Sequence, residues 1–136
     1  MSDIEKNIRI AIGMLVMLLT GGAAFSVAAQ EKKPDPCPDA QSQVEMNQCA
    51  GKAYKAADAE LNQVYQKLVA MLDEEEKAQL KNVETAWLKY RDANCEFAAD
   101  QFKGGSIRPM IYAFCLADMT RNRTAEIKNQ ITDRDQ

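Results

Sequence analysis

Histidine is absent from all 136 residues. The chain therefore lacks the commonest general base and the commonest metal ligand. Its four cysteines include no C-x-x-C pair, so neither a thiol-redox motif nor a zinc ribbon is signalled. Basic residues are not in excess. The formal charge is -3, and no basic patch stands out that could neutralise phosphates, which argues against a nucleic-acid partner. Runs of alternating apolar and β-branched residues, the mark of strands, are missing throughout.

Long apolar runs are scarce as well, and the one that exists is at the start. Lys6 and Arg9 precede the stretch "IRIAIGMLVMLLTGGAAFSVAAQ", which ends in small residues suited to cleavage near Ala28 or Ala29. Thr20-Gly21-Gly22 interrupts it, whereas a spanning helix needs about 20 predominantly apolar residues. Residues 1–29 are expected to be a cleaved signal peptide, with an uncleaved anchor as the alternative reading. No cysteine stands at the cleavage point, so a lipid anchor is not expected. Residues 30–38, "QEKKPDPCP", hold three of the four prolines and read as an extended tether. Residues 39–136 make one domain, too short for two. Cleavage would remove as many acids as bases, leaving the charge at -3. A core of this size is marginal, and disulfides are the usual remedy in an exported chain.

From Asp39 onwards the apolar pattern has a helical period. Tyr54, Asp58, Leu61, Tyr65, Leu68 and Leu72 share one face of a first helix, with a bend expected at Gly51. Asp73 and Glu76 form a capping-box pattern that starts a second helix; one helix running through Asp73 is the alternative. The second helix carries Leu80, Val83, Trp87, Arg91, Cys95, Ala98 and Phe102 on or near one face. "KGGSIRP" ends it, with Gly104 suited to a left-handed C-cap, Ser106 to capping a third helix and Pro109 to that helix's first turn. The third helix carries Ile111, Phe114 and Asp118, beside a row of Leu116, Thr120, Arg123, Ile127 and Ile131. The fold class is all-α, a small antiparallel three-helix bundle stapled by two disulfides.

Reflecting the chain about its two turns brings Asp58, Arg91, Thr120 and Arg123 to one level of the bundle. Buried cations require partners, so Asp58 is expected to bridge one or both arginines, with Thr120 satisfying the remaining hydrogen bonds. The alternative has the arginines snorkelling to solvent and Asp58 half exposed. The same reflection places Cys95 and Cys115 at equal distances from the Gly104-Gly105 turn. It favours Cys95 with Cys115 and Cys37 with Cys49; Cys49 with Cys95 is the competing pair.

The stretches "CAGKAYKAADAELNQVYQKL", "LKNVETAWLKYRDANC", "GGS" and "CLADMTRNR" resemble the family of the lysozyme inhibitor LprI N-terminal domain. The resemblance is carried by Cys49, Tyr54, Asp58, Leu61, Asn62 and Tyr65, then by Trp87, Arg91, Asp92 and Cys95. Gly104 and Gly105 follow, and finally Cys115, Leu116, Thr120 and Arg123. One departure is Glu84-Thr85-Ala86, where many relatives have Gln two residues before the Trp. The resemblance implies an exported bacterial protein. The family is named for a mycobacterial lipoprotein that inhibits lysozyme, although inhibition need not travel with the fold. Without a lipobox, a soluble periplasmic or secreted form is implied.

Three functions fit to different degrees. A binding protein that blocks a lysozyme-type hydrolase would use its acidity to approach a cationic target. Its "FKGGSIR" turn offers Lys103, Gly104, Gly105, Ser106 and Arg108 for insertion into a cleft that holds two carboxylates. The plainer reading of this turn is ordinary helix-hairpin chemistry. A non-inhibitory envelope module that binds another protein or peptidoglycan is the second function, favoured by the lack of an evident exposed aromatic platform. An enzyme is the third. Carboxylates abound in "DEEEK" and at Glu84, Asp92 and Glu96, yet caps, exposed faces or ion pairs account for them. No catalysis, cofactor or metal is expected, nor any membrane contact after cleavage; the oligomeric state is open.

Overall fold

The computed structural model describes residues 36–136. The expected signal peptide and most of the expected tether lie outside the described residues. Three α-helices of 27 residues each follow one another: α1 (Gln43–Val69), α2 (Glu74–Asp100) and α3 (Arg108–Arg134). No strand occurs among the described residues. At 1.5 Å per residue each helix is about 40 Å long, so the three span the same length of bundle.

Local chemistry sets two of the starts. Ser42 and Glu45 form a reciprocal capping box at α1, and Asp73 and Glu76 form another at α2. The chain therefore breaks between Val69 and Glu74 and does not run on as a single helix. α1 continues as helix through Gly51, where a bend was expected. α3 begins differently from expectation. Its N-cap is Ile107, which has no side-chain cap, and Pro109 stands in the first turn. Ser106 contributes its carbonyl, which accepts a hydrogen bond of 3.1 Å from Asn47 Nδ2 on α1. Gly104 has φ of +81°, the left-handed conformation that stops the tightened turns after α2.

The interior is graded along its length. Next to the α1–α2 turn it is leucine-rich: Leu61, Val64, Leu68, Leu72, Leu80 and Ile127 cluster, flanked by Tyr65, Val69, Trp87 and Ile131. Towards the α2–α3 turn the buried residues are smaller, with Ala50, Cys95, Ala99 and Ala117 all fully enclosed. α3 packs along both other helices and most closely with α1, whereas α1 and α2 scarcely approach each other. Disulfides join Cys37 to Cys49 and Cys95 to Cys115, with Cα separations of 6.1 and 5.5 Å, ordinary for the bond. The first ties the entering segment to α1; the second ties α2 to α3.

Val83 and Phe102 fall outside the interior despite their assigned face. Val83 is 52% exposed and Phe102 37%. The buried line of α2 is narrower than its apolar content, because only α3 covers it closely.

Replacing Cys95 and Cys115 together by serine should lower unfolding free energy by about 3 kcal/mol, the usual value for releasing a loop of this size. Urea denaturation of the oxidised protein and the double variant measures the difference.

Candidate functional site

Between the leucine-rich and the small-residue parts of the interior lies a polar layer. Arg91 and Arg123 are 5% and 7% exposed, and Thr120 and Thr124 are buried beside them. Neither arginine snorkels. Arg91 donates from NH1 to Thr120 Oγ1 at 3.3 Å and from Nε to Asp92 Oδ1 at 2.9 Å. Arg123 donates to Glu84 Oε1 from both Nε and NH2, and from NH1 to Glu126 Oε2 at 2.7 Å. Burial works against the charge of Arg123, but these hydrogen bonds outweigh it and hold its pKa above the ordinary value. Thr124 closes the layer by donating to the carbonyl of Thr120 at 2.9 Å.

Aromatic faces complete it. The Arg91 guanidinium carbon lies 5.4 Å from the Tyr54 ring and 5.2 Å from Trp87, and that of Arg123 lies 6.0 Å from Trp87. One indole thus serves two cations, each within cation–π range. Tyr54 is the α1 member of this arrangement.

Asp58 does not bridge the arginines. It is half-buried and accepts a hydrogen bond of 3.2 Å from Asn62 Nδ2 on its own helix. The reflection that placed it beside Arg91 was correct in height but not in azimuth. α1 and α2 stand apart, leaving a cleft of about 370 Å³ lined by Asp58, Asn62, Tyr65 and, opposite, Lys81, Glu84, Thr85 and Leu88. Asp92 and Glu84 on α2, with Glu126 on α3, supply the missing anions. Asp92 is adjacent in sequence to Arg91, a pairing that helix-face reasoning passes over because neighbours do not share a face. Glu84 lies seven residues before Arg91, two turns away on the same side of α2, and could have been found from that spacing.

The α2–α3 turn is held from two sides. Arg108 pairs with both Glu96 and Asp100, and hydrogen bonds to these carboxylates raise its pKa. Asn47 holds Ser106 from α1. Arg108 is therefore committed to the turn itself, whereas Lys103, Gly104 and Gly105 are exposed at its tip. The five turn residues lie together at one end of the bundle, away from the arginine layer. Tyr112, in the first part of α3, has its pKa raised by burial and by the charges of Asp92 and Glu96.

The carboxylates considered for acid–base work are otherwise engaged. Glu76 completes a helix cap, Glu84 and Asp92 serve the arginines, and Glu96 serves Arg108. No group of three or more Cys, Asp or Glu side chains among the described residues could hold a metal ion.

The sequence profile of the lysozyme inhibitor LprI family matches residues 35–127. The chain belongs to this family. An uncharacterized protein of Rhizobium meliloti (strain 1021) is 42% identical over 113 residues, covering 74% of this chain and 81% of its own length. No solved structure matches. The matched span of this LprI family member takes in both disulfides, the arginine layer and the glycine turn.

Glu84→Ala leaves the buried Arg123 with only the exposed Glu126 as its anion and should cost about 3 kcal/mol, as breaking a buried pair does. Asp58→Ala removes only a partly exposed hydrogen bond and should cost less than about 1 kcal/mol. Denaturant melts of the two variants at neutral pH check both values. Equal losses would mean that Asp58 carries part of the layer after all.

Proposed function

We propose that this chain is an exported binding protein that inhibits a lysozyme-type cell-wall hydrolase by direct contact. Family membership over residues 35–127 carries this reading. In it, residues 1–29 are a signal peptide, 30–38 a tether and 39–136 the inhibitory domain, delivered to the periplasm or outside the cell. Two disulfides suit an oxidising compartment. Among the described residues no helix is long and apolar enough to cross a membrane.

The contact proposed is the α2–α3 turn. A hydrolase cleft with two carboxylates attracts a cation, and Lys103 is the exposed cation at the tip. Gly104 and Gly105 carry no side chain that would hold the backbone off. Arg108 acts from behind, through Glu96 and Asp100, and Ser106 through its carbonyl on Asn47. A turn already held in shape loses little freedom on binding, which favours affinity. The net charge of -3 aids encounter with a cationic hydrolase.

Oxidised protein titrated against c-type, g-type and i-type lysozymes in a cell-wall lysis assay should inhibit one class saturably. Lys103→Glu should weaken that inhibition about 30-fold or more, as expected when a buried charge pair is lost. Inhibition left intact by Lys103→Glu would reject the turn as the contact. Inactivity against all three classes, with an unchanged helical spectrum, would favour an envelope module that binds another protein or peptidoglycan.

A further inference from the structure

The surface of α2 bears a second apolar line that neither other helix covers. Val83, Ala86, Tyr90, Ala93 and Phe97 are all exposed, at 52%, 62% and 79% for Val83, Tyr90 and Phe97. Their spacing is three, four, three, four, the repeat of a helix-pairing seam. At 100° per residue the line is centred about 120° from the buried line of Leu80, Arg91 and Cys95. It also lies away from the cleft towards α1. Single exposed apolar residues are ordinary, but a continuous row ending in a phenylalanine four-fifths in water marks an interaction surface. It is also the exposed aromatic row that no feature of the sequence had announced.

We propose that a second copy of this chain packs antiparallel on α2 along this seam, giving a two-fold symmetric dimer. Size and charge select both the partner and the direction. In an antiparallel pair, Tyr90 meets Ala93 of the other copy and Phe97 meets Ala86, so every large ring faces a methyl group. A parallel pair would stack ring on ring and methyl on methyl, leaving gaps between the layers. The flanking residues agree. Antiparallel packing sets Lys89 against Glu96 of the other copy, twice by symmetry, whereas parallel packing sets both opposite uncharged residues, Asn94 and Gln101. Lys89 has no ion-pair or hydrogen-bond partner among the described residues. Glu96 binds Arg108 through Oε1, and its Oε2 remains for the second cation. A self-complementary patch of this kind closes on itself as an isologous contact. Five residues a side make a small interface, of the transient class. The inference goes beyond the inhibitor reading and does not depend on it, because the glycine turns point to opposite ends of such a dimer.

Sedimentation of the purified, oxidised protein across micromolar to millimolar concentrations should show a reversible monomer–dimer equilibrium. Phe97→Asp should weaken it about tenfold or more, the worth of burying a phenyl ring, and should leave the helical spectrum unchanged because Phe97 is 79% exposed. Lys89→Glu should weaken it too, since it sets like charges together. In a dimer mixed from isotope-labelled and unlabelled chains, filtered nuclear Overhauser spectra should show Phe97 ring protons close to the Ala86 methyl. Within one helix these residues lie about 16 Å apart, so the signal can arise only between copies. A monomer at every concentration would overturn the proposal. So would a dimer that is indifferent to Phe97→Asp, or one that lacks the Phe97–Ala86 signal.

Discussion

Two buried guanidinium groups sharing one indole hold this small bundle to a single arrangement. A cation taken out of water is costly unless it is paired and fully hydrogen-bonded. Here both conditions are met: Arg91 has Asp92 and Thr120, and Arg123 has Glu84 and Glu126. Among the described residues no buried side-chain nitrogen or oxygen lacks a partner. The partners come from α2 and α3, and the Tyr54 ring from α1. Sliding α2 past α3 by one turn would part Arg123 from Glu84 and Arg91 from Thr120, so the layer sets the register of these two helices, and the Tyr54 ring keys α1 to it. A leucine core alone tolerates such slips more readily, since apolar contacts carry no direction.

The layer also explains the division of labour along the bundle. On one side of it, leucines and Ile127 bury apolar area where the chain turns from α1 to α2. On the other side the buried residues are, Leu116 apart, alanines and half-cystines, which bury less but let helices approach closely. That half depends more on covalent staples, and both disulfides are found there. At the end carrying the glycine turn, Arg108 and Asn47 add polar contacts that hold the turn in place.

Helix number, the capping box of Asp73 and Glu76, the all-α class and the grouping of Arg91, Thr120 and Arg123 were legible in the amino-acid order. So were the cysteine pairs as the favoured alternative. These follow from periodicity and from distances counted along helices, both one-dimensional quantities. Three expectations fail for a common reason: Asp58 against the arginines, and Val83 and Phe102 against the interior. Each depends on azimuth, on which way a side chain faces once neighbouring helices have taken their places. Counting residues gives height along a bundle, not rotation within it.

The sequence by itself determined that this protein is three helices broken at Asp73 and at Gly104, since caps and a left-handed glycine act through local hydrogen bonds and backbone sterics. It also determined the family, through residues spread over most of the chain. Tertiary structure decided that Asp58 is not among the carboxylates that answer the arginines. With α1 and α2 held apart and α3 close to both, Asp58 is left at the wall of a cleft and the charge falls to Glu84 and Asp92. Tertiary structure likewise decided that Tyr90 and Phe97 face water, because three helices of equal length cannot cover every apolar face of the middle one.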